Sequence, residues 1–95
     1  MLFVYAKVVI PTINQEKFKV LANTLVENTR KETGCVSYNF CELKDIKNVF
    51  AFAEKWQDKT ALDNHLNSPA FKEIIGKISA LASSELEVNV HEIIL

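Results

Sequence analysis

The chain has 95 residues, 48% hydrophobic and 24% charged, the composition of one small globular domain over 1–95 rather than a disordered chain. Eleven basic residues against twelve acidic ones leave a net charge of −1, which removes the bulk electrostatic case for nucleic acid or an anionic membrane surface. Two His and two Cys cannot build a structural zinc site of the usual spacing.

The stretch from Leu2 to Ile10 is rich in Val, Ile, Phe and Tyr and reads as a first strand. It contains Lys7 and covers only about half of the ~20 residues needed to span a bilayer. No basic region precedes it, so it is a poor signal peptide, and a cytoplasmic protein is expected. Pro11 ends the strand. Asn14 is placed to cap a helix whose Phe18, Leu21, Ala22, Leu25 and Thr29 form one stripe, and Gly34 is its expected C-terminal stop.

Cys35–Leu43 and Val49–Trp56 follow as strands of a hairpin closed through Lys44–Asn48. Cys35 and Cys41 lie six steps of ~3.3 Å apart, roughly 20 Å, so they cannot pair with each other; free thiols suit a reducing compartment. Asp58 then caps a short helix bearing Ala61, Leu62, His65 and Leu66. Ser68-Pro69 restarts the chain, serine as cap and proline at the first helical position. Phe71, Ile74, Ile75, Ile78, Leu81 and Ala82 mark the second half of this split helix. Ser83-Ser84 breaks it, and Glu85–Leu95 alternates as a last strand.

The order βαββαβ predicts an α+β, ferredoxin-like antiparallel sheet with helices on one face. Both faces of the first and third strands are apolar: Leu2, Val4, Ala6 and Val8 against Phe3, Tyr5 and Val9, and Phe50, Phe52 and Trp56 against Val49, Ala51 and Ala53. Helices cover one face only, so the other is expected to meet a second copy, giving a homodimer.

The run Glu54-Lys55-Trp56-Gln57-Asp58-Lys59-Thr60-Ala61-Leu62-Asp63-Asn64-His65-Leu66-Asn67-Ser68-Pro69-Ala70-Phe71 resembles the antibiotic biosynthesis monooxygenase family, with its pattern close to E-x-W-x-D-x-x-A-L-x-x-H-x-x-S-P-x-F. Glu32-Thr33-Gly34-Cys35-Val36-Ser37-Tyr38 is similar to the family's E-x-G-C-x-x-Y passage. The resemblance implies a dimeric α+β barrel and a monooxygenase that needs no metal or flavin. Its partners would be molecular oxygen and a small aromatic, quinol-like or anthrone-like, substrate. Haem-degrading members resembling this chain use an Asn, a Trp and a His where Lys7, Trp56 and Ile75 stand here, so haem degradation is not implied. Many members also carry a His where Ala70 stands. The alternatives are a non-catalytic binding or stress-response module, or an isomerase of the same fold.

Several side chains are candidates for the site. His65 shares the buried face of its helix, either as a general base or as a histidine that bonds backbone or Glu54 and pins the helix. Glu54, among Phe50, Phe52 and Trp56, is a proton acceptor or the partner of His65 or Lys7. Trp56 offers a flat wall to an aromatic ligand or a large core residue. Lys7 would hold an anionic substrate oxygen if it faced the pocket, or else snorkels to an edge. Tyr38 and Asn39 are possible donors to substrate, and Phe52 and Phe71 are candidate walls. Trp56, Glu54 and His65 are expected to border one cavity between the sheet and the split helix.

Overall fold

Alternation in the first strand decides how the sheet is dressed: Val4, Ala6 and Val8 are buried while the residues between them are half-covered. A computed structural model describes all 95 residues. The elements are β1 (Leu2–Val9), a 3₁₀ turn (Thr12–Asn14), α1 (Gln15–Arg30), β2 (Cys35–Glu42), β3 (Val49–Trp56), α2 (Lys59–Asn67), α3 (Pro69–Leu81) and β4 (Glu87–Glu92). The four strands lie in the order β2-β3-β1-β4, every neighbouring pair antiparallel. This is the expected ferredoxin-like α+β fold, with the helices on one face. No helix is long and apolar enough to cross a membrane.

The core lies between that face and α1. Phe18 of α1 packs against Phe40, Phe50 and Phe52, its ring centroid 5.1 Å from that of Phe50. Burying such rings supplies much of the hydrophobic drive, each aromatic side chain covering ~150–250 Å². The split helix forms as its capping residues dictate. Asp58 Oδ1 accepts from the Ala61 N–H at 2.9 Å, and Ser68 Oγ accepts from the Phe71 N–H at 3.0 Å. Ser68 thus ends α2 and starts α3.

Two helix boundaries differ from expectation. Asn14 precedes α1, but the 3₁₀ turn leaves it helical, with φ −99° and ψ −2°, not extended as a capping side chain requires. Its Nδ2 instead donates to the Leu81 carbonyl at 3.0 Å, tying the start of α1 to the end of α3. The helix then stops at Arg30, short of Gly34. Gly34 serves the turn into β2: its φ is +85°, and a Cβ there would overlap the Ala61 Cβ. Close packing of α2 on that turn needs a glycine. The hairpin is pinned by Asn48, at φ +68°, whose Oδ1 accepts from Gln15 Nε2 at 2.7 Å. β4 is shorter than the expected Glu85–Leu95 because β1 offers it partners only from Leu2 to Lys7.

Candidate functional site

Strand register assembles the floor of a small chamber. Val90, Val4, Glu54 and Tyr38 form one row across β4, β1, β3 and β2, and Val88, Ala6, Phe52 and Phe40 form the next. All eight point toward the helices. Over all of them but Phe40, which packs under α1 against Phe18, Leu62 and His65 of α2 and Phe71 and Ile75 of α3 close a cavity of about 70 Å³ whose lining is almost wholly apolar. Val88 and Val90 stay 53% and 52% exposed although they face the helix side. Neither α2 nor α3 reaches fully over β4, so the chamber opens along that strand.

His65 is the polar centre of this roof. It is 1% exposed, its ring lies between Trp56 and Phe71 with centroids 4.7 and 4.4 Å away, and it lines the chamber. Its Nδ1 is 3.0 Å from Glu32 Oε1 and 3.2 Å from Oε2. A carboxylate only accepts, which assigns the proton to Nδ1 and a lone pair to Nε2. Nε2 is buried and has no hydrogen-bond partner. A buried polar atom without a partner is costly, and the chamber side is where one can be supplied. Burial pushes the His65 pKa down, and the Glu32 carboxylate works against that by favouring the imidazolium. The ring is therefore kept neutral at rest and has a counter-charge ready if it takes a proton.

Glu54 occupies the floor below, 5% exposed. Desolvation pushes its carboxyl up to about 7, and hydrogen bonding from Trp56 and Tyr38 pulls the other way. The Trp56 indole Nε1 donates to Glu54 Oε1 at 2.8 Å. The Tyr38 hydroxyl is pushed well above its usual range by burial first and by Glu54 second. The chamber thus offers an acceptor nitrogen, a carboxyl that changes charge near neutrality and a phenol, within apolar walls.

Of the expected site residues, His65, Glu54, Tyr38, Phe52 and Phe71 line this chamber. The other three do not. Trp56 is fully buried behind the His65 ring and reaches the site through its packing on His65 and its hydrogen bond to Glu54. Lys7 lies on the opposite face of the sheet, because its strand position is odd where Val4 and Ala6 are even; it pairs with Glu87 at 3.7 Å. Asn39 is likewise turned away by the same alternation, and its Oδ1 accepts from Arg30 Nη2 at 3.2 Å. The histidine partner is also corrected: His65 bonds neither backbone nor Glu54 by its side chain, but Glu32.

Glu32 is the residue that pattern reading left without a role. It opens the run Glu32-Thr33-Gly34-Cys35, so an acid held just before a glycine turn was the available signal. Glu32 and Ala70 border a separate, polar hollow on the outer surface. Ala70 therefore stands outside the chamber, whereas Ile75 stands within it. No three His, Cys, Asp or Glu side chains converge as metal ligands.

The family model for antibiotic biosynthesis monooxygenase matches residues 1–77. A Synechocystis protein, sll1783, is 37% identical over 79 residues, which are 83% of this chain and 54% of that protein; the chain spans about half the length of that relative. YcnE of Bacillus subtilis, described as a candidate monooxygenase, is 30% identical over 88 residues, 93% of each chain. A crystal structure described as an antibiotic biosynthesis monooxygenase superposes with a TM-score of 0.93 at 28% identity, over 100% of both chains.

Proposed function

The chain belongs to the antibiotic biosynthesis monooxygenase family, and on that footing we propose that it oxidises a small aromatic, quinol-like substrate with molecular oxygen and without a cofactor. The observation that carries this reading is the buried, unpartnered Nε2 of His65, a residue that lines an apolar chamber. A phenolic hydroxyl donating to Nε2 would supply the missing partner. His65 takes its proton, and Glu32 stabilises the imidazolium through Nδ1. The phenolate, in surroundings with little water, is electron-rich enough to pass an electron to oxygen. One oxygen atom then enters the ring and the other leaves as water, all electrons coming from the substrate. Glu54, when protonated, donates to the carbonyl that develops.

Oxygen uptake with a panel of reduced quinones tests the proposal. Uptake above the enzyme-free rate, lost in His65→Ala, is the expected result. Uptake no faster than autoxidation across the panel overturns it. A second reading, binding without turnover, is favoured by Ile75, which puts an aliphatic side chain on the chamber wall. Stabilisation by an aromatic ligand with no product formed would identify it.

In the same proposal residues 1–95 act as one domain and two copies pair through the sheet face away from the helices. Phe3, Tyr5 and Val9 there are only half-covered, and an apolar sheet face of this kind is commonly buried in a partner. Light scattering should report twice the chain mass at micromolar concentration, and a monomer at that concentration removes the pairing. The free Cys35 and Cys41 suit a reducing compartment such as the cytoplasm.

A further inference from the structure

The chamber does not end at His65. Leu66, Phe71, Ile75, Leu86 and Val88 line it and also line an outer groove that continues between α3 and the start of β4. That groove holds about 500 Å³ and runs past Ser79 and Ala82 of the α3 end. The inner chamber, at about 70 Å³, is smaller than the ~150 Å³ cavity that accommodates one benzene ring. A single ring enters only with small movements of Phe71 or Ile75, and a fused tricycle would need the helices to part from the sheet. The space available is therefore narrow at the polar centre and long on the apolar side.

We propose that the ligand has two parts: a single phenolic ring whose hydroxyl donates to His65 Nε2, and an apolar chain that leaves the chamber along the groove beside Ile75, Leu86 and Val88. The proposal rests on the reading of the chamber as a phenol site and narrows it to alkyl-substituted phenols and quinols, against anthrone-like tricycles. Two independent features support it. The unpartnered nitrogen, 99% shielded with its ring, calls for a donor at the inner end. The half-exposed Val88, facing the helices with nothing over it, calls for apolar cover along the outer part. No lysine or arginine lines either space, so an anionic head group finds no counter-ion there.

The test is calorimetric titration of the full chain with 4-alkylphenols of increasing chain length, beside the matching 4-alkylanisoles and anthrone. Affinity should rise about fourfold for each methylene added until the groove is filled. The anisoles, which lack the donor, should bind more weakly at every length. Ser79→Trp, placing a ring in the groove from the exposed side of α3, should flatten the chain-length series. Phenols that bind with no dependence on chain length, or a dependence that survives Ser79→Trp, would overturn the two-part ligand and leave the phenol site standing. A groove already filled by Ile93–Leu95 of a second copy would give the first of those results. Anisoles binding as tightly as phenols, or no binding by any phenol, would overturn the phenol site itself.

Discussion

The Glu32 carboxylate holds His65 by Nδ1 at 3.0 Å, and the other ring nitrogen is left buried without a partner in a side chain that lines an apolar chamber. The first link is built from a turn and a helix that the chain places 33 residues apart. It fixes the tautomer, and the tautomer decides what His65 offers: an acceptor, not a donor. His65→Ala should lower turnover by about 10² to 10⁴, the range for a lost general base, as steady-state oxygen uptake would show.

Glu32 acts through His65. Glu32→Gln keeps a hydrogen-bonding side chain but removes the charge that favours the imidazolium. The pKa of His65 should fall further, moving the rising limb of the kcat profile to lower pH and lowering the plateau rate. KM should change less than kcat, because Glu32 faces the outer hollow and not the chamber. A profile that kept its position while only the melting temperature fell would make the contact purely structural.

Glu54 predicts a stability slope of known sign. Its folded pKa, about 7, lies above the ordinary carboxylate value of 4.5, so the native state binds the proton more tightly than the unfolded chain. Stability from this group is complete below about pH 4.5 and is lost as pH rises through 7. The full swing is on the order of 3 kcal/mol. Glu54→Gln should remove that slope, so denaturation curves of the two proteins should diverge between pH 5 and 8. His65 has the opposite sign: its depressed pKa costs stability as pH falls below 6.5, and it is common to both proteins.

Trp56→Phe should extend the Glu54 window. The indole N–H is a donor to the carboxylate and phenylalanine has none, so the carboxyl should stay protonated to higher pH. The same pH series of denaturation curves reads this as an upward move of the midpoint. It comes with a general loss of stability from the smaller ring in a fully buried position.

Gly34→Ala should destabilise by about 2 kcal/mol or more, read by denaturant unfolding. The left-handed backbone at φ +85° is strained for alanine, and its Cβ meets Ala61 at the start of α2. Because α2 carries His65, the folded fraction should also lose substrate affinity.

Local rules in the chain were enough for the elements and for the caps of α2 and α3, but not for the two ends of α1. Asp58, Ser68 and Pro69 act through neighbours within one helical turn, and strand alternation places Glu54, Phe52 and Tyr38 on a common face without reference to anything distant. The same alternation, carried one residue further, already separates Lys7 from Val4 and Ala6. What decided the chemistry was not local. The Glu32–His65 bond, the retreat of Trp56 behind the imidazole and the uncovered flank of β4 depend on how α2 and α3 settle over the sheet. Side-chain volumes, the glycine at 34 and the reach of two short helices set that arrangement. No spacing in the sequence records which carboxylate a histidine will meet once a turn and a helix are brought together, because that contact is fixed by packing in three dimensions.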